Sequence, residues 1–184
     1  MFQEAIIQSL TKLETAKSRG YLRDFALIGG FAVSAWGVPR ATQDLDFAVT
    51  IGAADPQAAA RFLGGQYDRG DRDDPLQGVI HLSVGPDHAS VPLQLVVFPP
   101  SLADMIFRHV ESLPVMERIV PVVGWQVLIL LKLYAGGPQD RLDAQQILKA
   151  RQPQQHDLQQ MRGMAESAGV LEEWIALSNA HLLQ

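Results

Sequence analysis

Residues 25–47 read Phe25-Ala26-Leu27-Ile28-Gly29-Gly30-Phe31-Ala32-Val33-Ser34-Ala35-Trp36-Gly37-Val38-Pro39-Arg40-Ala41-Thr42-Gln43-Asp44-Leu45-Asp46-Phe47. The apolar run Phe25 to Ile28 stops at two glycines, as a buried strand running into a turn would. Phe31 to Trp36 is small and apolar and predicts a helix, which Pro39 prevents from continuing far. Leu45 to Ile51 is rich in β-formers and predicts the next strand. The fold turns on this strand–turn–helix–strand unit, with Gly29-Gly30 at one corner and Asp44-Leu45-Asp46 at the other.

Asp44 and Asp46 are two apart in a strand-like run, and a period of two puts both carboxylates on one face. Adjacent carboxylates repel unless a positive charge sits between them. A hard divalent cation such as Mg²⁺ suits them, because it takes oxygen ligands and shares them with substrate phosphates. Glycines at a helix start let an anion approach the backbone. A phosphate cradle beside metal-binding carboxylates is the equipment for phosphoryl or nucleotidyl transfer. Each half is weak alone: Asp-x-Asp decorates many strand ends, and Gly-Gly after a strand is often only a turn. Their order within one unit carries the specificity.

Outward from this unit, Phe2, Ile6, Ile7, Leu10 and Leu13 repeat at helical spacing and predict a first helix ending near Gly20. Downstream, 55–63 predicts a helix with Pro in its first turn. Residues 64–77 read as mostly loop, with room for a short strand near Tyr67. The runs 78–84 and 91–98, split by Gly85-Pro86-Asp87, predict a hairpin. Residues 101–111 predict a helix capped by Ser101, and 115–123 one further strand. From Trp125 the pattern becomes helical: 125–134 up to Gly136-Gly137-Pro138, then 139–150, 153–168 and 170–182. This order argues for an α+β core over 1–123 with a helical part, 124–184, packed on it as one compact unit.

The chain has 184 residues, enough to bury a core without staples. It has no cysteine, which excludes a disulfide framework, a thiolate zinc site and a cysteine nucleophile. The net charge of -5 argues against non-specific attraction to nucleic acid. Met1-Phe2-Gln3-Glu4 does not open a signal peptide, and Val127 to Leu131 is too short to span a bilayer. A soluble, cytoplasmic protein is expected. The five histidines show no metal-ligand spacing. His81 alternates with apolar neighbours and reads as structural, His88 as a turn residue, and Trp36 as core or pocket wall.

The chain resembles a known family. Ile28-Gly29-Gly30-Phe31-Ala32, Trp36-Gly37 and Arg40-Ala41-Thr42-Gln43-Asp44-Leu45-Asp46-Phe47 resemble the nucleotidyltransferase signature of a Gly-Gly or Gly-Ser turn followed by an Arg-x-Ser/Thr-x-Asp-x-Asp strand. The nearest branch is that of AbiEii-like toxins and related nucleotidyltransferase-like proteins. A second segment, Leu128 to Leu133, Ala135-Gly136 and Asp140-Arg141-Leu142-Asp143, resembles a later pattern in which a Lys-bearing helix ends in Ala-Gly and precedes Asp-x-x-Asp. The resemblance spans residues 25–150.

The resemblance implies a nucleotidyltransferase-like α+β fold, a small mixed sheet flanked by helices. It implies that Gly29 and Gly30 hold nucleotide phosphates and that Asp44 and Asp46 bind Mg²⁺ carrying a nucleoside triphosphate. Lys132 would face the phosphates or the leaving pyrophosphate, with Asp143 or Asp140 near it. Many members carry a third carboxylate on a later strand. The matching position here holds Gln94, whose amide can ligate a metal but cannot accept a proton at neutral pH. Asp87 and Asp104 are the alternatives, neither of them mid-strand.

Blander readings stand beside these. Lys132 could snorkel from its apolar helix. Asp140 could be a helix-start charge and Asp143 a solvated residue. Arg40 could bind phosphate or pair with Asp44, and Thr42 could orient Asp44. Two main functions follow. One is a nucleotidyltransferase acting on a hydroxyl of RNA or tRNA, a protein or a small molecule, with a cognate antitoxin as a possible partner chain. The other is a catalytically degenerate nucleotide-binding or protein-interaction module, which Gln94 favours. The third and blandest reading has the aspartates merely decorating a strand edge.

Overall fold

The computed structural model describes residues 2–70, 76–86 and 89–182. Asp87 and His88, and residues 71–75 of the stretch read as loop, lie outside the described residues. Eight helices and seven strands follow one another as α1 (Phe2–Ser18), β1 (Leu22–Ile28), α2 (Gly29–Ala35), β2 (Leu45–Ile51), α3 (Pro56–Leu63), β3 (Gln66–Arg69), β4 (Gly78–Val84), β5 (Val91–Val97), α4 (Pro100–Arg108), β6 (Val110–Val115), β7 (Arg118–Val123), α5 (Trp125–Ala135), α6 (Pro138–Arg151), α7 (Gln155–Ser167) and α8 (Leu171–Leu182) among the described residues.

The strands form one mixed sheet in the order β3-β4-β5-β2-β1-β7-β6. β1 runs antiparallel to β2, while β2 runs parallel to β5. Paired residues point to the same face, so the register sorts the side chains. Leu27, Phe47, Leu95 and Ile80 share one face and are fully buried. α1 packs on β1, β4 and β5 and on α3, which itself lies on β3 and β4. Ile6, Leu13 and Ala16 of α1 are buried, in keeping with the amphipathic spacing of that helix.

The opposite face carries Ile28, Asp46, Gln94 and His81 in one row. α4 packs against β1 and β2, and α5 brings Leu128, Leu131 and Lys132 over Asp46 and Val96. α5 is the central helix of the C-terminal part, buried on nearly every side, with α6, α7 and α8 around it. One continuous core joins Phe47 and Leu95 of the sheet to Leu128, Ile147, Met161 and Trp174 of the helices.

Two expectations need correction. Ser101 does not cap α4: the helix starts at Pro100 with Pro99 in the N-cap position, and no side chain caps it. Proline in a first helical turn sets φ and forgoes a donor that would be orphaned anyway. α4 also ends at Arg108, and the 115–123 run is not one strand. β6 and β7 form a hairpin with Val115 opposite Arg118. Its two turn residues, Met116 and Glu117, have φ of 45° and 65°. Such a turn needs positive φ at both positions, and its usual sequence signal is Asn-Gly. Met-Glu carries no such signal, so the hairpin was invisible to pattern reading. Gln3 donates to the Glu117 carboxylate across 3.1 Å, tying the turn to α1.

Candidate active site

The β1–α2 corner and the start of β2 meet face to face. Gly29 lies at φ +66°, and a Cβ there would overlap the Asp46 carboxylate. A Cβ on Gly30 would sit 2.7 Å from Cβ of Thr42. The two glycines therefore let the Asp46 and Thr42 side chains press against the α2 turn. That is a tighter requirement than a phosphate cradle alone, and it couples the two corners sterically.

Thr42 donates its hydroxyl to Asp44 Oδ1 at 2.9 Å, which orients that carboxylate. Asp46 is half-buried. Burial first, and the Asp44 charge second, push its carboxyl up to about 6, against partial relief from Lys132 and Arg40. Among the described residues neither Asp44 nor Asp46 lies within ion-pair distance of a cation. Gln94 is the direct β5 partner of Asp46, so its amide rises from the same face one strand away. Among the described residues no three His, Asp or Glu side chains group as a metal site. Asp104 is not a third carboxylate here: it is exposed on α4 and pairs with Arg108 at 3.7 Å.

Lys132 does not snorkel. It is buried within α5, and its ammonium donates to Asp140 Oδ1 at 2.7 Å and lies 3.1 Å from Asp143 Oδ2. A buried ammonium must be paired, because desolvation otherwise neutralises it. Asp143 is not solvated either: it is 1% exposed. Arg40 pairs with Asp143 at 2.7 Å rather than with Asp44. Gln139 donates to the other Asp143 oxygen at 2.9 Å. Asp140 does stand in the first turn of α6, as a helix-start charge would, but its carboxylate is also spent on Lys132. Asp143 thus ties the loop bearing Arg40, Thr42 and Asp44 to α5 and α6.

Trp36 is core: its indole donates to the Val123 carbonyl at 2.8 Å, and Arg151 stacks over its ring. A cavity of about 200 Å³ opens beside Asp46, lined by Gly29, Asp46, Val96, Leu131, Lys132 and Asp140 among others, but not by Asp44. That is smaller than the roughly 300–1,000 Å³ of sites that enclose a ligand. A larger groove of about 630 Å³ lies between α5, α6 and α8, but neither of the paired aspartates nor Lys132 lines it. The chemistry therefore concentrates at the smaller cavity.

No protein-family model matches the chain, and no curated protein matches it significantly. Among solved structures, ANT(2")-Ia in complex with adenylyl-2"-tobramycin superposes with a TM-score of 0.50 at 15% identity, covering 96% of this chain and 99% of that one. The fold is that of the nucleotidyltransferases. An antigenic nucleotidyltransferase-like protein from Paracoccidioides brasiliensis superposes with a TM-score of 0.48 at 13% identity, covering 95% of this chain and 93% of that one. In this structure Gly29, Asp46 and Lys132 line one cavity, and Gln94 is the β5 partner of Asp46. Among the described residues no helix is long and apolar enough to cross a membrane.

His81 lies on β4 and alternates with more buried neighbours, as its spacing predicts. It stands directly opposite Gln94 on β4, and its side chain is 47% exposed on the face that carries Asp46. A half-covered sheet leaves the polar set of that alternation facing solvent.

Proposed function

We propose that this chain is a Mg²⁺-dependent nucleotidyltransferase that moves a nucleoside monophosphate from a nucleoside triphosphate to a hydroxyl. The observation that carries the reading is the Asp44–Asp46 pair beside a glycine turn, two carboxylates with no ion-pair partner among the described residues. Burial, and after it the Asp44 charge, raise the Asp46 carboxyl in keeping with this reading. A divalent ion fits that donor set, because it takes oxygen ligands and relieves the repulsion between them. Asp44 and Asp46 would hold it, and when bound it would offset the triphosphate charge and polarise the phosphoryl group.

The chain's own groups supply the rest. Lys132 has one donor beyond those facing Asp140 and Asp143, available to a phosphate oxygen. Backbone at Gly29 and Gly30 gives phosphates close approach. Arg40 adds positive charge at the rim, Thr42 fixes Asp44, and the Gln94 amide offers a hydrogen bond to what lies over β5. The acceptor class (RNA or tRNA, a protein, or a small molecule) belongs to this reading. So do an AbiEii-like affiliation, a cognate antitoxin chain and a cytoplasmic setting.

The second reading is a degenerate nucleotide-binding or interaction module. Gln94 favours it, standing in register with Asp46 where a proton acceptor would be useful. Calorimetry of Mg²⁺ with each nucleoside triphosphate tests the common ground. Asp46→Asn is expected to abolish the Mg²⁺-dependent part of binding, and equal binding by both proteins would sink the metal site. Labelled triphosphates incubated with total tRNA and cell extract then separate the two readings. Binding without any transferred label favours the module.

A further inference from the structure

The cavity beside Asp46 is polar in one part and apolar in another, and the sheet and α5 each contribute to both. On the sheet side, Asp46 stands beside Gln94 of β5. Val96 follows on the same face about 7 Å along the strand, and Phe98 lies beyond it. On the helix side, Leu128 stands one turn, about 6 Å, before Lys132, and Leu131 also faces the cavity. Val96 and Leu131 are only half-buried, so both walls keep apolar surface that a ligand could cover.

The ligand that fits such a cavity is apolar at one end and anionic at the other. The nucleoside triphosphate of the transferase reading has that character, and this inference rests on that reading. Lys132 meets the anionic end, where Asp46 would share a cation with the phosphates. A space of about 200 Å³ between a sheet and a helix suits a flat ring rather than a whole nucleotide. Among the described lining residues the polar side chains are Asp46, Lys132, Asp140 and Tyr134. Lys132 and Asp140 are tied to each other at 2.7 Å. No Asn, Gln, Ser or Thr stands among these residues. The Tyr134 hydroxyl can donate or accept, so by itself it does not tell one base edge from another.

We infer that the apolar part of this cavity receives the nucleobase, laid between Val96 and Phe98 on one side and Leu128 and Leu131 on the other, and that the site takes nucleoside triphosphates with little preference among the bases. Bases are told apart by directed donors and acceptors at their edges. Their faces are alike in being flat and weakly polar, so apolar walls hold every base in much the same way. Val96 and Leu131 are then binding residues for the base, and Lys132 for the phosphates.

The test is calorimetry with Mg²⁺ and five probes: ATP, GTP, CTP, UTP and ribose 5-triphosphate, which lacks a base. The four nucleotides are expected to bind within about 10-fold of one another. Ribose 5-triphosphate should bind about 10-fold or more weakly than they do. Leu131→Ala should weaken all four nucleotides several-fold and leave ribose 5-triphosphate unchanged. Val96→Ala repeats the comparison from the sheet side, and thermal melts check that each variant is folded. A preference above about 10-fold for one base overturns the inference, because it means that an edge is being read. Ribose 5-triphosphate binding as tightly as the nucleotides overturns it too, as does equal weakening of all five probes by both variants. In each of these cases the triphosphate reading stands. Absence of Mg²⁺-dependent binding by every probe, ribose 5-triphosphate included, overturns that reading and this inference together.

Discussion

Two groups of charges lie side by side at this site and differ in one respect. Arg40, Lys132, Asp140 and Asp143 form a balanced cluster, two cations against two anions at 2.7–3.1 Å. Asp44 and Asp46 are anions with no ion-pair partner among the described residues. The balanced cluster satisfies its own electrostatics and so acts as a fastener between the 38–44 loop, α5 and α6. The unbalanced pair keeps a repulsion that Lys132 and Arg40 relieve only in part. Unrelieved charge held by the surrounding fold is what the proposed cation site requires, whereas buried balanced charge is compatible with structure alone.

The largest expected effect comes from breaking the fastener. Asp143→Ala leaves Arg40 unpaired and Lys132 with a single partner, and should cost about 3–5 kcal/mol of stability, read from urea melts. Asp140→Asn should cost less, because Asp140 is the more exposed partner and Asp143 remains. Equal losses in the two variants would show that the cluster is not anchored on Asp143.

The next effect has the opposite sign. Asp46 holds its proton more tightly folded than unfolded, since its carboxyl is pushed from 3.8 to about 6. Its contribution to stability is therefore greatest below pH 3.8 and declines as pH rises to about 6. In chelator, Asp46→Asn should be more stable than wild type at pH 7 by roughly 2–3 kcal/mol. That gap should close as pH falls from about 6 to 4, followed by thermal melts. A variant less stable than wild type at pH 7 would mean that Asp46 is already compensated, and the contrast between the two groups would fail.

The smallest effect sharpens the contrast. Thr42→Val removes the hydrogen bond to Asp44 and should change stability by no more than about 1 kcal/mol. Its consequence should appear instead as several-fold weaker Mg²⁺-dependent triphosphate binding, measured by calorimetry. Unchanged binding would show that Asp44 needs no orientation by Thr42.

The strand–turn–helix–strand unit was legible because its signals are local. Ile28 before Gly29-Gly30, Pro39 after a small-residue helix, and the Asp-x-Asp spacing each constrain the backbone within a few residues. The closing Gly136-Gly137-Pro138 was legible for the same reason: Gly136 adopts φ 68° at the end of α5, and Pro138 opens α6. The β6–β7 hairpin was not legible, because Met116 and Glu117 are held in left-handed conformations by strand pairing rather than by their own preference.

By itself the sequence determined the elements of the Gly29–Asp46 corner, the apolar faces, and the presence of Gln94 where a carboxylate was expected. Tertiary structure alone decided which charges meet. Arg40 and Asp143 are 103 residues apart in sequence and 2.7 Å apart in space. No local periodicity encodes such a contact, because it depends on how α6 is laid against the loop before β2. Tertiary structure also decided that the row Asp46, Gln94 and His81 lies under open solvent at one end and under α5 at the other. The alternation in each strand fixes which residues share a face; only the placement of the helices fixes which part of that face can be reached.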